Sequence, residues 1–184
     1  MGVSGCIQGL SGYLSLYLRG LGWTGTSADG ALSLLSAMSM IFVLPIALWS
    51  DRLGSRKKIV LGMVVMIAVG TGLLSFSNGL LVWGAIILVG MVRDGSTALL
   101  MTMTIETDGV GSVYAGTASG FVMFFLFIGN LLSPPIGNKL AEFIPGLPFV
   151  FWAGLVVIGI VSLLFVKPAQ SVELPEGVPT TPEP

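Results

Sequence analysis

Four stretches of this chain approach or reach the length of a membrane-spanning helix without one charged side chain: Ala31–Trp49, Ile59–Phe76, Val113–Ile136 and Phe149–Val166. A fifth, Leu80–Ile105, is interrupted only by the adjacent pair Arg93–Asp94. A helix needs about 20 apolar residues to cross the hydrocarbon core of a bilayer. Lipid offers no hydrogen-bond partner to backbone N–H and C=O groups, so such spans must be helices. Alternating ten-residue strands are absent from the sequence, which excludes an outer-membrane barrel. Composition agrees, with 9% charged residues where soluble domains carry about 25%. So few charges cannot cover a water-facing surface. The expected fold is an all-α membrane protein, a multi-spanning helical bundle.

A sixth segment, Val3–Leu18, is shorter. At about 1.5 Å per residue it reaches only about 24 Å. It has neither a basic n-region nor a small-residue cleavage site, so it reads as a spanning helix whose beginning is truncated and not as a signal peptide. The connections are short. "GLGWTGTSADG" joins the first two helices, with Ser27 or Asp29 placed to cap the second. Pro134 and Pro135 are expected to bend or end the fifth helix. The segment from Lys167 onward is rich in Pro and Glu and reads as a disordered tail. The expected organisation is a transmembrane domain over residues 1–166 and a tail over 167–184.

Residue inventory narrows the function. The chain has no histidine and one cysteine, Cys6. Ser–His and Cys–His catalysis and Cys/His metal sites are therefore excluded, and so is an internal disulfide. A Gly-x-Gly-Asp aspartyl motif is also missing. No enzyme activity, cofactor, metal or nucleic-acid partner is expected.

The basic residues set an orientation. Six spans place Arg52, Arg56, Lys57, Lys58 and Lys167 on one side, and Arg19 and Lys139 on the other. Positive charge favours the cytoplasmic face, so the cluster and the tail are expected there, in a plasma or inner membrane. Topological anchoring alone accounts for Lys57 and Lys58.

It does not account for the whole of "ALWSDRLGSRKK". Asp51, Arg52, Gly54, Arg56 and Lys57 fall between the second and third helices with a spacing that resembles the loop signature of the major facilitator superfamily. That pattern runs Gly-x-x-x-Asp-Arg-x-Gly-x-Arg-Lys, with Ala47 here in place of its leading glycine. The later stretch "GVGSVYAGTASGFVMFFLFIGNLLSPPIGNKLAE" resembles the eleventh helix of such transporters. The order of elements is similar to the carboxyl-terminal six-helix half, helices seven to twelve. The resemblance implies a secondary transporter of a small solute, coupled to a proton or another ion. It also implies that an amino-terminal half, or a second copy of the chain, completes the molecule. In this reading Asp51 accepts hydrogen bonds from a neighbouring helix terminus. Arg52 or Arg56 pairs with Glu106 or Asp108, and the loop gates the cytoplasmic side.

Arg93 and Asp94 form the second charged site. An ionisable side chain at mid-membrane costs about 2.5–3.5 kcal/mol on insertion scales, so it faces a cavity or a partner. Ser96 and Thr97 lie three and four residues beyond Arg93 and share its helix face. Two readings stand: Arg93 contacts an anionic or polar solute while Asp94 tunes its charge or carries a proton, or each pairs with another helix for structure alone. Gln8, Tyr13 and Tyr17 on the first span and Asn130 on the fifth are further solute-contact candidates, or interhelical glue. Phe121, Phe124, Phe125 and Phe127 read as packing or lipid-facing surface.

The glycines have a packing role. Gly116 and Gly120 form a GxxxG pair, Gly129, Ser133 and Gly137 continue at intervals of four, and Gly5 and Gly9 form another pair. Small residues let helices approach closely in lipid. Beside the transporter reading stands an alternative, a non-transporting membrane interaction protein or a truncated, inactive fragment.

Overall fold

The computed structural model describes residues 1–53, 56–76, 79–107 and 110–165. They form six helices: α1 (Gly2–Gly20), α2 (Gly25–Leu53), α3 (Arg56–Leu74), α4 (Leu80–Ile105), α5 (Gly111–Ala141) and α6 (Leu147–Phe165). No strand occurs among the described residues. The protein is an all-α membrane bundle. Helices α2 to α6 each contain a segment long and apolar enough to cross a membrane. Helix α1 is not among them, because Ser4, Gln8, Ser11 and Ser15 interrupt its apolar run.

The helices alternate in direction. Arg56 at the start of α3 meets Glu106 at the end of α4, and Lys57 donates to the Leu164 carbonyl in the last turn of α6 at 3.1 Å. These contacts define a basic end. At the opposite end, Tyr17 Oη near the close of α1 donates to the Leu74 carbonyl at the close of α3 at 3.2 Å. Trp23 and Trp83 meet there with ring centroids 5.5 Å apart, as interfacial tryptophans do.

The buried core draws on α1, α2, α3, α4 and α6, and its largest side chains sit where α6 meets α1. Phe149 and Trp152 are fully buried; Phe149 packs edge-on with Tyr17, Trp152 with Tyr13, and the two with each other. A methyl group at either Gly9 or Gly137 would overlap the Trp152 indole. Both positions must lack a side chain for α6 to seat its tryptophan between α1 and α5. A Cβ at Gly5 would come within 2.8 Å of the Gly129 carbonyl, so α1 and α5 touch backbone to backbone there.

Several local expectations need correction. The first turn of α2 is capped by Thr24, whose Oγ1 accepts from the Ser27 N–H at 3.3 Å. Ser27 and Asp29 lie inside the helix, which begins earlier than its apolar run does. Asp29 instead pairs with Arg19 at 2.7 Å and accepts from Ser15 Oγ at 2.5 Å, tying α1 to α2. The Pro134–Pro135 pair does not end α5, which continues to Ala141. Membrane helices tolerate proline, and beyond the pair α5 stays packed on α1 and α6, with Trp152 Nε1 donating to the Ser133 carbonyl at 3.3 Å. Gly116 and Gly120 pack against nothing within the bundle, because the first half of α5 turns outward.

Candidate functional site

Three helices leave a cavity of about 240 Å³ between them. Ser4, Ile7 and Gln8 line it from α1, Arg93, Asp94 and Thr97 from α4, and Met123, Leu126, Phe127 and Asn130 from α5. Each set follows helical periodicity, so one face of each helix is presented inward. Gln8, the adjacent pair Arg93–Asp94 and Asn130 come from three distant parts of the sequence, and the fold brings them to this one cavity.

The backbone of α4 is pinned from behind. A Cβ at Gly90 would stand 2.8 Å from the Leu35 carbonyl, and one at Gly95 would stand 3.0 Å from Ile46. Buried Ser39 on α2 accepts from the Asp94 N–H at 3.3 Å. These contacts hold α2 close against α4 on one side and leave Arg93 and Asp94 for the other. Gly90 and Gly95 escaped the sequence reading, although they flank the charged pair three residues before Arg93 and one residue after Asp94.

The polar groups of the cavity are under-satisfied. The Arg93 Nε is buried and has no hydrogen-bond partner. Asp94 Oδ1 lies 3.5 Å from it, close enough for an ion pair but too long for a good hydrogen bond. The Arg93 side chain is 23% exposed and that of Asp94 54%. The Asn130 side-chain oxygen is likewise buried without a partner. Such groups are costly to leave unmade in a low-dielectric interior. Thr97 bonds back to the Arg93 carbonyl at 3.5 Å.

Not every expected polar residue joins them. Ser96 is fully buried and donates to the Arg93 carbonyl at 2.8 Å, turned away from the cavity. Tyr13 and Tyr17 belong to the aromatic core, with hydroxyls donating to the Pro145 and Leu74 carbonyls. A larger apolar groove of about 610 Å³ adjoins the polar cavity, and Ser4, Thr97 and Leu126 line both.

At the basic end, Arg56 and Glu106 form an ion pair and hydrogen bond across the α3–α4 boundary. Lys57 caps α6, where a cation complements the carbonyl-rich helix terminus. Arg52 and Lys58 are exposed. Gly54 and Asp108 lie outside the described residues, as does the side chain of Asp51.

Comparison with known proteins gives one family. The model for the Major Facilitator Superfamily matches residues 1–126, which take in α1 to α4 and the first half of α5. No curated protein matches the chain.

Proposed function

Because the chain belongs to the Major Facilitator Superfamily and so to a family of membrane transporters, we propose that it moves a small solute by secondary transport. The cavity of α1, α4 and α5 is its share of the solute site. The observation that carries this reading is the convergence of Gln8, Arg93, Asp94 and Asn130 on one cavity. Arg93 and Asn130 hold polar atoms with no partner there. A structural role alone would have paired them within the bundle. Asp94, half exposed beside Arg93, is the group that carries a coupling proton or answers another coupling ion.

The loop of Asp51, Arg52, Gly54, Arg56 and Lys57, with Glu106, gates the basic end. The Arg56–Glu106 pair supports a latch that closes in one conformation and parts in the other. The basic bias puts this end and the tail in the cytoplasm, in a plasma or inner membrane.

The chain acts as a carboxyl-terminal half, paired with an amino-terminal half or a second copy. Half-exposed Asp94 supports this, since a charge left facing hydrocarbon is costly. The outward faces of α2 and α5 support it as well. Met40, Leu44, Leu48 and Phe121 are all more than 60% exposed on them.

The test is saturable flux of labelled sugars, carboxylates and amino acids into liposomes, with the oligomeric state of the purified chain measured in parallel. Flux is expected only from assemblies of two or more chains, and Arg93→Gln removes it. Flux from a monomer contradicts the half-transporter reading, and absence of flux from every assembly contradicts transport.

A further inference from the structure

We propose that the solute is a small zwitterion with an apolar side chain, of the α-amino-acid class; this rests on the solute-site reading above and specifies its chemistry. Arg93 and Asp94 are the charged side chains among those lining the cavity, so its formal charge is zero. A ligand with net charge would bring an uncompensated ion into a membrane interior, where a lone charge is expensive. A ligand whose two charges are complementary to the pair escapes that cost.

The orphaned groups then fix which end goes where. The Arg93 guanidinium makes no hydrogen bond within the described protein, and its planar fork matches a carboxylate in bidentate fashion. Opposing it are acceptors. The Asn130 side-chain oxygen has no donor, and its amide can present either end by a flip. The Asp94 carboxylate is half exposed on the same cavity. The Asp94 carboxylate and the Asn130 amide oxygen are acceptors on this cavity, and an ammonium group brings donors to both.

The remaining wall is apolar. Ile7, Met123, Leu126 and Phe127 face the same space, which suits a hydrocarbon side chain and not the hydroxyls of a sugar. A plain carboxylate would satisfy Arg93 and leave every acceptor idle. A plain amine would do the reverse.

The experiment uses the full chain in nanodiscs, with Cys6→Ser to silence the native thiol and Met123→Cys as a reporter on the cavity wall. Maleimide alkylation of the reporter is followed in the presence of leucine, of 4-methylpentanoate, which is leucine without its amine, and of 3-methylbutylamine, which is leucine without its carboxylate. Glucose is the uncharged control. Leucine is expected to halve the alkylation rate at a concentration at least ten times lower than either truncated analogue. Arg93→Gln should abolish the advantage of leucine over the amine. Stronger protection by the acid, the amine or glucose overturns the zwitterion assignment while leaving a solute cavity in place. No protection by any probe also overturns it, and the flux measurement above then decides whether the solute reading falls too. The analogue series is read on a chain with Arg93 intact, so a poorly folding Arg93 variant does not blunt it.

Discussion

Helix α5 carries small residues at intervals of four in both of its halves, and the bundle uses only one of them. In the second half, Gly129 meets the first turn of α1, and Gly137 meets the indole of Trp152. In the first half, Gly116 and Gly120 have the same spacing and open space before them. Phe121 and Phe124 beside them are at least 60% exposed. A GxxxG pattern states how close another helix is permitted to come and not whether one does. The closed half belongs to the internal core, and the open half is left exposed.

The largest effect that sharpens this contrast comes from Trp152. Trp152→Ala removes the fully buried side chain on which α1, α5 and α6 converge, and should cost about 3–5 kcal/mol. Phe124→Ala, on the open flank, should change the unfolding midpoint of the chain in detergent hardly at all. Equal losses from the two would erase the distinction between the flanks.

A smaller effect has opposite signs on the two halves. Gly9→Ala and Gly137→Ala force a methyl into the indole and should destabilise the bundle by about 1–3 kcal/mol. Gly116→Ala and Gly120→Ala meet nothing and should stabilise it by up to about 1 kcal/mol through helix propensity. Thermal unfolding of the four variants checks the sign, and destabilisation by the second pair would show that the open half is covered within the bundle after all.

The smallest effect is at the basic end. Arg56→Gln should cost no more than about 1 kcal/mol, since a partly exposed ion pair stabilises little. Its role as a latch predicts a conformational readout instead, namely faster alkylation of cysteines introduced near Glu106. The exchanged pair Arg56→Glu with Glu106→Arg should restore slow alkylation. Asp51→Asn should act in the same direction without affecting insertion. Unchanged accessibility in all of them would leave the cluster as a topological anchor only.

The helical membrane bundle was legible because uncharged runs of this length admit few other folds. Gln8, the Arg93–Asp94 pair and Asn130 were legible as solute-contact candidates, each too polar for its span, but not as one cavity; which faces they share depends on helix rotation, which sequence does not specify. Tyr13 and Tyr17 illustrate the limit. Their rings packed against Phe149 and Trp152 from a segment more than a hundred residues away. Ser96 illustrates it at shorter range, since one residue of separation from Thr97 is a rotation of about 100° about a helix axis. The prolines of α5 left two outcomes open, a bend or an end, and the end did not occur. Local rules end a helix at Pro134, whereas packing against α1 and α6 keeps it running to Ala141.

That one-residue contrast offers the most direct test of the solute cavity. Thr97→Cys and Ser96→Cys, each in a Cys6→Ser background, are exposed to a hydrophilic, membrane-impermeant thiol reagent in nanodiscs. Thr97 lines the cavity and Ser96 is fully buried behind it. A water-filled solute pathway predicts rapid labelling at position 97 and little or none at position 96. Equal failure of both to react would mean that the cavity is dry, and would contradict a solute site at Arg93 and Asp94.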